Sequence, residues 1–310
     1  MKNVFTMIFG ILLLYSCGGR DNKNTMNPVN EVFEIDTVFF NDTSKIIGAK
    51  ILADTIDIDT SSRVEVTTKN LRTFENNKIE RLKKFKNGIS IKWFIEGQGR
   101  KIKDGEMVFI EYRLALPDGK IIAGNNPKSP FFPFVVGYNM QTIGWDLAFK
   151  ELKVGDFAKI ELPTEFAYGA KGIKGLIPPN SKLWLFVKVY AFIEPGYQDK
   201  GIKSWSLFNS SNDSININSE KEYKIQMTIS TKKSPNIINT YFHNTAIYYK
   251  TGQNTILPGL RKIVETSNKG DRFIVLLPPK YGFGKEGYGK DVTATDTILV
   301  NMEVVDIRGI

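Results

Sequence analysis

The chain has 310 residues but only one cysteine, Cys17, and one histidine, His243. A single thiol gives no intrachain disulfide framework and no thiolate metal site. One histidine excludes a cluster of histidine ligands, and its surroundings, Tyr241-Phe242-His243-Asn244-Thr245, carry no nucleophile signature. Neither a metal site nor a Ser-His-Asp arrangement is indicated, and no residue pattern calls for a cofactor. Blocks of like charge are missing too. The formal net charge is +9, from 42 Lys and Arg against 33 Asp and Glu. The cations are scattered, the pattern of a solvated surface rather than of a nucleic-acid patch. The apolar run from Val4 to Tyr15 falls short of the roughly 20 residues that a spanning helix needs.

That run has the anatomy of a targeting segment, with Lys2 as its positive flank. It ends Leu14-Tyr15-Ser16-Cys17 and gives way abruptly to Gly18-Gly19-Arg20-Asp21-Asn22. This resembles a bacterial lipoprotein signal, in which cleavage leaves the cysteine as a lipid-modified N-terminus. Tyr15 departs from the small residue usual there, and an ordinary secretory signal with an incidental cysteine is the alternative. Several acyl chains hold a protein stably on a membrane surface, whereas one does so only marginally. The expectation is a signal over 1–17, lipidation at Cys17, and a cell-envelope protein anchored at the periplasmic face of the outer or inner membrane.

Downstream, 18–68 reads as a polar tether and partly structured lead-in. Leu71, Phe74, Ile79, Leu82 and Phe85 roughly mark a helical face, closed by Asn87-Gly88, so the spacing predicts a helix over 69–87. A first domain over 88–195 follows. Ile89, Ile91 and Trp93 alternate, as do Val108, Ile110, Tyr112 and Leu114, then Ala158, Ile160 and Leu162, then Leu183, Leu185, Val187 and Val189. Trp145, Ala148, Phe149 and Leu152 form one face of a short helix. The segment 196–218, rich in Ser and Asn, reads as a linker around Trp205 and Phe208. A second domain, 219–310, repeats the first: Lys269-Gly270-Asp271 echoes Val154-Gly155-Asp156, and Pro279-Lys280-Tyr281-Gly282-Phe283-Gly284 echoes Thr164-Glu165-Phe166-Ala167-Tyr168-Gly169. The fold class is α+β, each domain a curved antiparallel sheet of five or six strands wrapped on a short amphipathic helix.

Between the last two strands of the first domain lies Glu165 to Asn180, a glycine-rich loop with two aromatics that ends on Ile177-Pro178-Pro179. A long ordered loop of this kind is a candidate for function. Together with Tyr112, Asp118-Gly119-Lys120, Gly144-Trp145, Leu152-Lys153-Val154-Gly155 and Tyr168-Gly169-Ala170, it resembles the FKBP-type peptidyl-prolyl isomerases across nearly their whole length. With the lipoprotein-like signal, the chain is similar to the gliding-motility-associated isomerase lipoproteins of the Bacteroidota.

The resemblance implies a pocket with Trp145 as its floor. Its walls would be Tyr112, Phe132, Tyr168, Leu176, Ile177 and Leu185, with the Tyr168 hydroxyl donating to a bound backbone. It implies proline-containing polypeptides as partners and no cofactor. Departures lie in the same pocket. Ile122-Ala123 stands for the family's usual Phe-Asp, Gln141-Thr142 for Val-Ile, Ile173 at the loop position that approaches substrate, and Leu185 for the last wall aromatic. A shallower pocket of reduced activity, binding macrolide inhibitors poorly, is expected. In the second domain Leu260 and Phe283 replace the floor and the tyrosine, and Thr293-Ala294 replaces Pro-Pro, so that domain is expected to be inactive. Two functions stay open: an isomerase assisting the folding of exported proteins, and a chaperone-like module that binds peptides without efficient catalysis.

Overall fold

The computed structural model describes residues 51–52, 78–124, 132–209, 220–242 and 245–310. Cys17, the signal, nearly all of the lead-in and His243 lie outside them. Among the described residues, two antiparallel sheets and two short α-helices make the fold.

The first sheet contains β1 (Ile51–Leu52), β2 (Arg81–Lys84), β3 (Ser90–Ile95), β4 (Met107–Ala115), β5 (Ile121–Gly124), β6 (Phe132–Val135), β7 (Phe157–Leu162) and β8 (Leu183–Ile193). Its order is β2-β3-β7-β8-β4-β5, with β1 on β8 and β6 on β4. The eight strands exceed the five or six expected, because short edge strands carry too few residues to show alternation. Helix α1 (Ile143–Phe149) buries Trp145, Ala148 and Phe149 in the apolar cluster formed by the alternating residues of β3, β4, β7 and β8. Asp156 explains the Gly-Asp motif after the helix. Its buried carboxylate accepts from the Trp93 indole at 2.7 Å and from the Gly97 and Lys153 amides at 2.7 and 2.9 Å, fixing β3 to the turn before β7.

The helix expected over 69–87 is corrected where it is described: residues 81–84 are strand β2, paired with β3 from Arg81↔Trp93 to Lys84↔Ser90. Ile79 and Leu82, assigned to an apolar helical face, are exposed. Asn87-Gly88 is a hairpin turn and not a helix cap. The Phe85 amide donates to the Ile89 carbonyl and the Gly88 amide to the Phe85 carbonyl, with Gly88 at φ +86°, as in a three-residue hairpin loop closed by a left-handed residue.

The linker expected over 196–218 is corrected as well. It opens the second sheet with β9 (Tyr197–Asp199) and β10 (Ile202–Phe208). There follow β11 (Lys221–Ser230), β12 (Ile238–Asn239), β13 (Ile247–Lys250), α2 (Arg261–Glu265), β14 (Arg272–Leu277) and β15 (Ile298–Gly309). The order β12-β11-β15-β14-β10-β9, with β13 on β11, is that of the first sheet read from its other edge, and only β1 has no counterpart among the described residues. The register break lies at the same place in each central pair, between Phe109 and Ile110 on β4 and between Lys224 and Ile225 on β11. The repeat therefore includes the hairpins β2–β3 and β9–β10 in front of each unit. Gly88 and Gly201, their turn glycines, even meet equivalent prolines, Pro163 and Pro278.

Candidate functional site

The bulge on β4 turns Tyr112 into the concave side of the first sheet, where it is paired with Val187 of β8. Phe132 and Phe134, two residues apart on β6, project to the same side. The rings meet edge to face: Tyr112 and Phe132 at 5.2 Å between centroids, Tyr112 and Trp145 at 5.3 Å, Phe134 and Trp145 at 5.5 Å. On α1, Trp145 stacks on Phe149 at 5.7 Å and 4° between planes. Offset and edge contacts of this kind hold rings rigidly and add to simple burial.

The loop from 164 to 180 closes one side. The Thr164 carbonyl accepts from Gly169, Thr164 Oγ1 donates to the Asn180 carbonyl, and the Asn180 amide donates to the Gly169 carbonyl. At its tip, Ile173 and Ile177 exchange both backbone hydrogen bonds at 2.8 Å. Gly172 is required there, because at φ +59° a Cβ would lie 2.2 Å from the Ile177 carbonyl oxygen. The loop sits on the start of α1, where a side chain at Gly144 would reach within 2.4 Å of the Phe166 carbonyl oxygen.

Of the residues singled out in the sequence, Tyr112, Phe132, Trp145 and Tyr168 are brought together with Ile122, Ala123, Ile173, Ile177 and Leu185 in one buried cluster, and Leu176 packs on its margin. Gln141 and Thr142 are buried in the turn before α1. Three of these side chains carry buried polar atoms with no hydrogen-bond partner among the described residues: the Tyr168 hydroxyl, Gln141 Oε1 and Thr142 Oγ1. Each such atom destabilises the protein by about 1–3 kcal/mol unless something binds it. Burial, and secondarily the neighbouring Tyr112, push the Tyr168 pKa far above the ordinary tyrosine value. The hydroxyl is a neutral donor at any physiological pH.

Two supporting residues were not singled out for the site. Phe134 backs the indole, and the alternation from Phe132 was the available signal. Asp146, next to Trp145, accepts the Gly137 and Asn139 amides at 2.7 Å each. Burial pushes its pKa up to about 6, while the two backbone hydrogen bonds act in the opposite direction. Among the described residues no group of three or more His, Cys, Asp or Glu could hold a metal ion.

A concave antiparallel sheet covered by one short helix and closed by a long loop defines a domain that occurs twice here, with the tryptophan and the buried tyrosine hydroxyl in the first copy. The chain belongs to the FKBP-type peptidyl-prolyl cis-trans isomerase family, whose family model matches residues 98–190 and 214–305. It is 36% identical over 95 residues to FK506-binding protein 1 of Debaryomyces hansenii, covering 30% of this chain and 85% of that protein. It is 32% identical over 103 residues to peptidyl-prolyl cis-trans isomerase FKBP1A of Xenopus laevis, covering 33% and 95%. A longer match to human FKBP9 is 25% identical over 214 residues and takes in 67% of this chain. There the chain spans 36% of the relative's length.

Proposed function

We propose that the first domain is a peptidyl-prolyl cis-trans isomerase of modest activity, acting on exported polypeptides. The observation that carries this is the Tyr168 hydroxyl, buried without a partner in the cluster that holds the Tyr112, Phe132 and Trp145 rings. An X-Pro amide rotates over a barrier of about 18–20 kcal/mol, set by the resonance that keeps it planar. The twisted amide has lost that resonance and its carbonyl is less polar, so an apolar aromatic wall favours it over the planar form. Tyr168 donates to a neighbouring peptide carbonyl and holds the chain in place, and no proton is transferred. Uncatalysed isomerisation takes tens to hundreds of seconds, slow enough to limit folding.

The modest rate is assigned to Ile122 and Ala123, which remove an aromatic and a carboxylate that the family's pocket usually has. Gln141 and Thr142 offer polar atoms to the peptide where the family offers alkyl groups. The N-terminal sequence supports export and lipid attachment at Cys17, and with them the likeness to the gliding-motility lipoproteins. Mass spectrometry of the mature chain is expected to find a lipid-modified Cys17 at its start; an unmodified residue there leaves only secretion. A second reading, peptide holding without catalysis, is favoured in the second domain by the exposed Tyr288, whose ring packs at 4.9 Å and a 33° tilt against Phe283.

Exchange spectroscopy on a short proline peptide tests the enzyme. The full chain is expected to accelerate cis-trans exchange, and Trp145→Ala to abolish the acceleration. No acceleration by the unaltered chain leaves the holding function alone. A macrolide inhibitor binding the chain at nanomolar affinity would contradict the effect assigned to Ala123.

A further inference from the structure

The turn between β6 and α1 carries Gln141 and Thr142 and leads into Trp145, and all of 137–142 is buried. Its counterpart in the second domain, after β13, is exposed from Thr251 to Thr255. The difference is a cover. The end of β11 and the turn after it lie on the first domain's turn: Ser230 Oγ donates to the Tyr138 carbonyl at 2.6 Å, and Asn139 Nδ2 donates to the Thr231 carbonyl at 2.8 Å. Both bonds are buried, so neither competes with water. The covering turn is itself fixed by the Thr231 amide to the Ser234 carbonyl and the Ser234 amide to Thr231 Oγ1. At the rim Lys232 pairs with Asp104 at 2.9 Å. Beneath, Trp205, Ile274, Leu276 and Leu299 of the second sheet belong to the apolar cluster of the first, and the Trp205 indole donates to the Ile193 carbonyl at 2.9 Å.

The covered turn needs holding. Asn139 sits at φ +54°, a left-handed conformation that L-residues other than glycine rarely adopt. Its amide and that of Gly137 end on the Asp146 carboxylate, one residue from the indole, and the Trp145 amide donates to the Thr142 carbonyl. A short chain of hydrogen bonds thus runs from the second domain through Tyr138 and Asn139 to the start of α1.

We propose that the second domain is a brace for the first domain's site: Ser230 and Thr231 position the 137–142 turn, and through it Trp145, Gln141 and Thr142. Ser230 and Asn139 are positioning residues. The brace is a property of the fold, and its effect on catalysis rests on the isomerase reading above. A rigid pocket loses less freedom on binding a peptide, so loosening the turn weakens peptide binding before it alters the bound step.

The test uses the full chain carrying Asn139→Gly together with Ser230→Ala. Glycine keeps the left-handed backbone and the amide on Asp146 but removes the side-chain donor. Hydrogen exchange at the 137–142 amides is expected to speed by about tenfold or more, with the β7–β8 ladder unchanged. The Trp145 indole NMR signal shifts. In peptide exchange KM rises about fivefold with kcat within about twofold, and Ser230→Thr, which keeps the hydroxyl, behaves as the unaltered chain. Val304→Ala, which weakens the second core away from the seam, produces none of the local changes. Unchanged exchange at 137–142 in the double variant overturns the brace. So does a loosened turn with KM unchanged in an active protein. If the unaltered chain shows no isomerase activity, the enzyme reading fails by itself, and amide exchange with the indole signal still decides the brace.

Discussion

The two domains share a strand order, a register break and a loop, yet present different chemistry at the same places. The ladders equate Tyr112 with Met227, since each is the third residue past its register break, and Phe132 with Ile247, each paired to the first residue past that break. Order along the chain equates Trp145 with Leu260 and Tyr168 with Phe283. The first set is thus four aromatics with a buried unpartnered hydroxyl, and the second is Met227, Ile247 and Leu260 with Phe283, which has no hydroxyl. Both floor positions are closed to solvent, for Trp145 and Leu260 are almost completely buried. Folding stability therefore does not require the aromatic set. What distinguishes the first domain is a set of groups that the fold alone does not need.

Converting one domain toward the other tests this. Trp145→Leu is expected to have the largest effect. It removes the ring contacts with Tyr112, Phe134 and Phe149, lowers the unfolding free energy by about 3 kcal/mol in denaturant titration, and removes acceleration of peptide exchange. Activity retained to within about twofold would break the comparison. Next comes the loop glycine shared by both domains. Gly172→Ala and Gly287→Ala each place a Cβ about 2 Å from a carbonyl oxygen at positive φ, and each should destabilise by about 1–3 kcal/mol. Only the first should change peptide turnover.

Tyr168→Phe gives the first loop the second loop's residue. A single neutral hydrogen bond predicts a fall of about tenfold in kcat/KM, with thermal stability unchanged or raised, because an unpaired buried hydroxyl has gone. The smallest effect concerns pH. Asp146, with its pKa raised to about 6, stands where the second domain has Arg261. A carboxyl with a raised native pKa contributes stability that is fully present below its ordinary value and is lost as pH rises through about 6. Asp146→Asn should therefore gain on the unaltered chain between pH 4 and 7 in paired denaturation curves.

Much of this was legible in sequence. Alternation in β4, β7, β8, β11 and β15 is clean because one face of each meets a core, and the Trp145-Ala148-Phe149-Leu152 face marks α1 without ambiguity. The hairpins before each unit were misread for two different reasons. In β2, Lys and Arg fill an exposed edge, so Leu82 and Phe85 fell by accident on a helical spacing. β9 and β10 were read as linker because of the Ser- and Asn-rich run that follows them from Asn209, although Ser204 and Trp205 are buried. The ring cluster could be named from its motifs, since each residue is tied to a local pattern. The burial of Tyr138 and Asn139 could not. Their partners lie 92 positions away in the chain, and nothing local distinguishes this turn from the exposed turn after β13.

The shared apolar cluster also bears on how the molecule is made. Leu299 of β15 and Leu276 of β14 pack into the first domain's core, so that core stays open on one side while the ribosome is still producing the second sheet. The nascent first domain can fold its strands early. Its site turn is sealed only when the end of β11 lies on it, so a chain stalled before β11 carries an unfinished pocket.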